Sequence, residues 1–267
     1  MLKHRILSNR FTLRYRQVGS GPPLVLMHTM RTQLDYFQKI VPALQERYTV
    51  YAVDLPGHGR SSILPVEYDE TLFRDSMVEF LDRLDLQGVT LAGESIGGTI
   101  ALTVAAAAPK RVARVVAINP YDYGERFGGG IRRGSGGWVI AFFQWFGRFT
   151  LEPSPLLATA LAGGLQDRSN LPAGLFAELR SSGGRRGYRA MEASLFGNWR
   201  SWVAARQRYK AVRAPVTLVY SDGDWSLPSE RERNFAVLHP QRSITIAGAG
   251  HFVSLEKPEA VIDAIAR

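Results

Sequence analysis

Short, continuous apolar runs alternate with longer amphipathic ones along most of this chain, and that alternation leaves few architectures open. The runs are PLVLMH (23–28), TVYAVDL (49–55), GVTLAG (88–93), VARVVAIN (112–119), APVTLVYS (214–221) and SITIAG (243–248). Runs this short without polar alternation are what strands covered on both faces look like. FTLRYRQVG (11–19) alternates instead and reads as a half-exposed strand. Between the runs lie helical patterns. Tyr36, Phe37, Ile40 and Leu44 share a face over Gln33–Tyr48, and Phe73, Met77, Phe80, Leu81 and Leu84 share one over Asp69–Asp85, with Asp69 as N-cap. An alanine-rich helix follows Gly93, another is expected from about Ser229, and a last one over Lys257–Arg267. The expectation is an α/β fold: a mostly parallel central sheet with helices on both faces.

The alternation stops between Tyr121 and Lys210. This stretch is rich in glycine and aromatics and reads as helical where it is regular. It is expected to be a helical cap (121–210) inserted into a core made of residues 1–120 and 211–267. A chain of 267 residues fits one such domain. The net charge is +9, and the insertion carries most of it, with 13 Lys and Arg against 6 Asp and Glu. Neither a nucleic-acid-binding motif nor the spacing of a dinucleotide or phosphate loop accompanies that charge, so no nucleic-acid partner is expected. There is no cysteine, which excludes disulfides, iron–sulfur clusters and thiolate zinc sites. No metal-ligand cluster is visible and no cofactor is expected. The start of the chain has no apolar core of a secretory signal, and no window approaches the ~18 apolar residues of a membrane span. A cytoplasmic location is expected.

One turn stands out. Gly93-Glu94-Ser95-Ile96-Gly97 has the pattern G-x-S-x-G, entered by a buried strand and left by a helix. A serine at such a turn stands exposed above a helix N-terminus, whose free N–H groups and partial positive charge suit a developing oxyanion. Glycines at 93 and 97 let neighbouring backbone pack where a Cβ would clash. A serine hydroxyl needs a base oriented by an acid. His251 lies on a glycine-containing loop just past the last strand, whereas His4 and His239 have no reason to meet Ser95. Asp222, Asp224 and Asp122 each follow a strand end, where the sites of open α/β sheets gather.

With these motifs in view, the chain resembles the α/β-hydrolase fold superfamily over nearly its whole length, as a serine esterase- or lipase-like member with a helical cap. LMHTM (26–30), DLPGHGRSS (54–62), GESIGG (93–98), SDGDWSLP (221–228) and GAGHF (248–252) carry the resemblance. It implies Ser95 as nucleophile, His251 as general base and acid, and Asp224, four residues before Pro228, as the orienting acid. Asp222 is then a turn residue, and Asp122 is the alternative acid. The oxyanion would be held by the backbone N–H groups of Ile96 and Met30. The DLPGHGRSS stretch has a structural role. One position departs from the family: His28 is followed by Thr29 where relatives have glycine. That implies a reshaped oxyanion loop, an altered reaction or weak activity, with His28 supporting the loop.

The run GGWVIAFFQWFGRF (136–149) is apolar all round. Trp138, Phe142, Phe143, Trp145 and Phe146 are candidates to line an apolar pocket, with Trp225 and Phe252 as further walls, or to pack on the core. The implied activity is hydrolysis of a carboxylic ester of an apolar acyl or aryl small molecule through an acyl-enzyme. Thioester hydrolysis and carbon–carbon bond hydrolysis use the same three side chains. A non-catalytic ligand-binding protein of this fold is the alternative of another class. Arg132, Arg133, Arg185 and Arg186 flank glycine-rich segments; they read as solvated charge, as a guide for an anionic substrate, or as a dock for an acidic carrier protein or anionic surface.

Overall fold

The computed structural model describes residues 4–7, 12–123 and 154–267, with side chains left out for 4–7, 154–156 and 160. The strands are β1 (His4–Leu7), β2 (Thr12–Val18), β3 (Pro23–Met27), β4 (Thr49–Val53), β5 (Val89–Glu94), β6 (Val112–Ile118), β7 (Val216–Ser221) and β8 (Arg242–Ile246). They form one sheet in the order β1-β2-β4-β3-β5-β6-β7-β8. β1 and β2 run antiparallel at one edge, and β3 to β8 are parallel. Every residue of β5 and β7 is buried, the polar Thr90, Glu94, Thr217 and Ser221 included. β8, at the other edge, alternates half-buried and exposed positions up to a buried Ile246, because only part of it is covered.

The register places Met27 beside Gly93 and Glu94 beside Ile118. The C-terminal ends of the parallel strands therefore meet along one rim. The loops carrying Met30, Asp54, Ser95, Asp122, Asp224 and His251 all leave from it, which is where open α/β sheets bind their ligands.

The stretch expected as one helix over Gln33–Tyr48 is two pieces, a 3₁₀ turn at Leu34–Phe37 and α1 (Val41–Leu44). Pro42 explains the break: it lacks an N–H and its ring would collide with the carbonyl four residues back, so it is accepted only in a first turn. Tyr36, Phe37, Ile40 and Leu44 are nonetheless all buried. The apolar spacing reported burial correctly and continuity wrongly. α2 (Glu70–Arg83) begins as expected, with Asp69 Oδ1 accepting from Leu72 N–H at 2.8 Å. α3 (Ile96–Ala107) is buried from Ile96 to Ala105 and packs on β5 and β6.

Between β6 and β7 the described residues form α4 (Ser154–Ala162), α5 (Ala173–Gly183), α6 (Tyr188–Gly197) and α7 (Trp199–Ala205). After β7 come α8 (Pro228–Leu238), then α9 (Val253–Glu256) and α10 (Pro258–Ala266) after β8. Ser194 Oγ accepts from Tyr68 N–H at 2.9 Å and Ser201 Oγ from Glu70 N–H at 3.0 Å, so α6 and α7 cap the start of α2. Trp202 is fully buried, its ring 5.5 Å from Phe73 and 6.1 Å from Tyr121. This one side chain joins α7 to α2 and to the end of β6. Trp202→Ala is expected to cost about 3–5 kcal/mol, the range for deleting a buried aromatic ring, read as a lower urea midpoint with an unchanged slope.

Candidate active site

Ser95 occupies φ 60° and ψ −120°, a backbone conformation costly for any residue with a Cβ. The surroundings fix it there. Its N–H donates to Ile118 O at 2.9 Å, and its carbonyl accepts from Thr99 N–H at 3.1 Å and Tyr121 N–H at 3.0 Å. A Cβ on Gly93 would lie 2.2 Å from Gly97 O, and one on Gly97 would lie 2.0 Å from Met27 O. These two glycines allow β5, the start of α3 and the end of β3 to touch through backbone alone. Ile96 begins α3, so its N–H has no acceptor within the helix.

His251 Nδ1 lies 2.6 Å from Asp224 Oδ1, both side chains fully buried. The carboxylate fixes the proton on Nδ1 and leaves Nε2 with its lone pair; Nε2 is buried and makes no hydrogen bond to the described residues. Asp224 Oδ2 accepts from the hydroxyl and the N–H of Ser226. Burial pushes the Asp224 carboxyl up, but the His251 ring and the two Ser226 donors outweigh it, and the net shift is downward. Trp225 lies flat on the His251 ring, centroids 3.9 Å apart and planes 11° off parallel. Asn119, in a left-handed conformation at the end of β6, donates to His251 O at 3.0 Å and to Ser221 Oγ at 3.1 Å. Asp222 accepts from Gly248 and Ala249 N–H, the turn role expected for it.

Asp122 does not reach the histidine. Its carboxylate accepts from Tyr209 OH at 2.6 Å and Asn234 Nδ2 at 3.0 and 3.1 Å, and pairs with Arg206 at 3.4 Å. It anchors the residues leading into β7 and α8, and the structure sets aside its place as alternative acid. Phe252 is buried, with its ring against Gly164, Tyr36 and Trp225. Trp138, Phe142, Phe143, Trp145 and Phe146 lie outside the described residues, as do Arg132 and Arg133. Arg186 is exposed, whereas Arg185 turns inward and donates to Gly59 O and Ser61 O. Among the described residues no cluster of metal-ligating side chains exists, and no helix is long and apolar enough to cross a membrane.

The loop after β3 accommodates Thr29 without strain. The left-handed residue of this turn is Arg31, φ 65°, two places on. Thr29 O accepts from Thr32 Oγ1 and His28 Nδ1, each at 2.7 Å, and from Thr32 N–H at 3.3 Å. His28 Nε2 accepts from Leu55 N–H at 3.0 Å, so the ring is satisfied as the neutral Nδ1–H tautomer. Arg31 pairs with Glu192 at 3.0 Å and stands 4.9 Å over the Tyr188 ring, tying the loop to α6. Below the loop, Asp54 accepts from Arg14, from Leu34 N–H at 2.8 Å and from Arg60 N–H at 2.8 Å. The DLPGHGRSS stretch thus has the structural role read for it.

Residues 22–258 match the model of the alpha/beta hydrolase fold. The chain belongs to this family of hydrolases. It is 29% identical, over 92% of its length, to the dihydrolipoyllysine-residue acetyltransferase component of the acetoin cleaving system of Cupriavidus necator, and spans 63% of that protein. It is 26% identical, over 99% of its length, to the 2-(acetamidomethylene)succinate hydrolase of Mesorhizobium japonicum, and spans 94% of that one. The crystal structure of an alpha/beta hydrolase fold protein from Burkholderia ambifaria superposes with a TM-score of 0.82 at 20% identity, covering 99% of this chain and 97% of the other; this likeness is one of fold.

Three buried groups around these loops give folding a pH dependence. Burial pushes His28 down to about 4 and His58 down to about 3, so both stay neutral in the folded chain. The unfolded chain takes up their protons below about 6.5, so stability falls as the pH drops from there. Glu94, buried beside Ser95, acts in the opposite sense. Burial pushes its carboxyl up to about 7, and the stability this adds is lost as the pH rises from about 4.5 to 7. Two histidines against this one carboxyl contribute a loss on acidification from pH 6.5 to 4.5, at about 1.4 kcal/mol per pH unit for one net proton, which the buried carboxyls of Asp54, Glu70 and Asp122, also pushed up by burial, reduce. Urea unfolding at pH 6.5 and 5 is expected to show this loss, made steeper by Glu94→Gln and shallower by His58→Phe.

Proposed function

We propose that this chain is a serine hydrolase that cleaves a carboxylic ester of an apolar small molecule through an acyl-enzyme. The observation that carries the reading is the His251–Asp224 contact at 2.6 Å, with Nε2 of the same ring making no hydrogen bond to the described residues, on the rim that also carries the strained Ser95. In this mechanism the Ser95 Oγ attacks the substrate carbonyl carbon and its proton passes to His251 Nε2. The imidazolium donates its Nδ1–H to Asp224, whose lowered proton affinity keeps it ionised for that task. The carbonyl oxygen, now negative, accepts from Ile96 and Met30 N–H. Collapse expels the alcohol, which takes the proton from His251. Water, deprotonated by His251, attacks the acyl carbon; collapse of this second tetrahedral adduct breaks the bond to Ser95 Oγ, releases the carboxylic acid and returns the proton from His251 to the Ser95 hydroxyl.

The placement of Thr29 supports an active enzyme over a non-catalytic binding protein. The left-handed turn residue is Arg31, and the Thr29 carbonyl is held by three donors, so the departure from glycine leaves an ordered loop. A second reading draws on the relative named 2-(acetamidomethylene)succinate hydrolase, which matches nearly end to end. On it, the same three side chains act on a carbonyl substrate other than a simple ester, a thioester or a carbon–carbon bond beside a carbonyl among them. Exposed basic residues such as Arg186 would then guide an anionic or carrier-bound substrate.

Hydrolysis of p-nitrophenyl butyrate and octanoate is the test. Wild type is expected to turn over, with Ser95→Ala and Asp224→Asn each reducing kcat on the order of 10⁴-fold. Full turnover by Ser95→Ala overturns the mechanism. Turnover of acyl thioesters or of carbon–carbon substrates in preference to esters, still dependent on Ser95, moves the assignment to the second reading.

A further inference from the structure

Glu94 is the last residue of β5, directly before Ser95, and is fully buried. It has no part in the mechanism above, yet its carboxylate bonds to the 3₁₀ turn that follows the Met30 loop and to the helix that follows His251. Oε1 accepts from Tyr36 OH at 2.6 Å. Oε2 accepts from the Ser254 hydroxyl and, at 3.3 Å, from Ser254 N–H. Tyr36 sits in the 3₁₀ turn that closes the loop of Met30 and Arg31, and Ser254 lies three residues after His251 in α9.

All three partners are donors, which is the arrangement an ionised carboxylate satisfies, since it only accepts. A protonated carboxyl must donate from one oxygen. The two hydroxyls can turn to meet it; the Ser254 N–H is fixed and cannot. The titratable groups facing this cluster are Tyr36, His251 and Glu256. Burial and the Glu94 charge raise Tyr36 well above the usual phenol range, so it remains a neutral donor. Glu256 is occupied by N–H groups of Gly250, Gln166 and Asp167. The His251 charge, when present, favours the ionised form of Glu94, and burial opposes it.

We propose that Glu94 is a positioning residue whose carboxylate holds the Met30 loop, the Ser95 turn and the His251 segment in mutual register, and whose protonation releases that register. The inference rests on the roles proposed for Ser95 and His251. A carboxyl brought to about 7 by burial changes state within the working range of a histidine base, so the reactivity of Ser95 should follow two ionisations on the acid side.

The test is the rate at which a fluorophosphonate labels Ser95 between pH 5 and 9. Labelling forms the serine O–P bond, expels fluoride and needs the same proton transfer to His251, whatever the natural substrate. Wild type is expected to label at Ser95, with a log rate whose acid-side slope approaches two. Glu94→Gln is expected to lower the plateau on the order of 10- to 100-fold, the cost of a misplaced reacting group, and to reduce the slope to one. Ser254→Ala keeps the carboxylate but removes a donor to its charged form, and is expected to move the upper ionisation to higher pH. Melting temperatures at pH 8 establish that the variants are folded. A folded Glu94→Gln with the wild-type plateau and slope overturns the proposal. If Glu94→Gln does not fold, an unchanged profile in Ser254→Ala overturns it. Wild type that labels at Ser95 while either of these results holds defeats this inference alone; wild type that does not label at Ser95 defeats the proposed function and this inference with it.

Discussion

Backbone packed against backbone at the end of β5 is the constraint on which the rest of the rim depends. With no side chain at Gly93 or Gly97, α3 starts close against the strand it leaves and against the carbonyl of Met27. That closeness forces Ser95 into a conformation costing about 1–3 kcal/mol. It is offset locally by bonds to Ile118, Thr99 and Tyr121, and globally by an α3 that is buried for ten consecutive residues. The same contact fixes where β3 ends relative to α3. The start of α3 and the end of β3 are therefore held together through packing of backbone on backbone.

Asp54 performs a comparable task one strand away. It is fully buried, and takes donors from β2 through Arg14, from the start of the 3₁₀ turn through Leu34 and from its own loop through Arg60. A charged group in that position is costly unless each oxygen is occupied, and here each is. Gly59 is required beside it because a Cβ there would fall on the carboxylate itself. The loop of His28 to Leu34 is thus held from below by Asp54 and from the insertion by Glu192, which grips Arg31. Thr29 can replace glycine because these anchors leave the left-handed turn position to Arg31.

What the sequence made legible follows the range of the interactions involved. Continuous apolar runs identified the strands because burial on both faces leaves a local trace. The serine between glycines, the histidine past the last strand and the aspartates past β7 could be read from their places in the loops that follow strand ends. The split at Pro42 was also written locally, but the apolar spacing of Tyr36 to Leu44 masked it, since both pieces bury the same residues. Other features depend on partners far along the chain. Glu94 and Ser254 are 160 positions apart, and Asn119 and His251 are 132. No local pattern marks such a pair. Trp225 and Phe252 were both read as pocket walls because they flank site residues. One lies flat on the histidine and the other is buried behind it, a distinction set by the loop's path and invisible in the spacing. Arg185 was grouped with surface arginines, yet spends its donors on two backbone carbonyls.

Two buried carboxylates bear on one imidazole here, and their environments push them in opposite directions. Asp224 is shifted down because it receives the ring N–H together with two donors from Ser226, enough to outweigh burial. Glu94 is shifted up, to about 7, because the donors of Tyr36 and Ser254 do not outweigh the same penalty. Separating the proton affinities of neighbouring acids is how a site assigns different tasks to groups of the same type. Asp224 stays charged over the range in which a histidine works as a base, and so holds the ring in one tautomer. Glu94 changes state within that range. The steady carboxylate is thus joined to the ring by a direct bond, while the variable one acts on it through its charge and, by way of Ser254 and the backbone, on its placement.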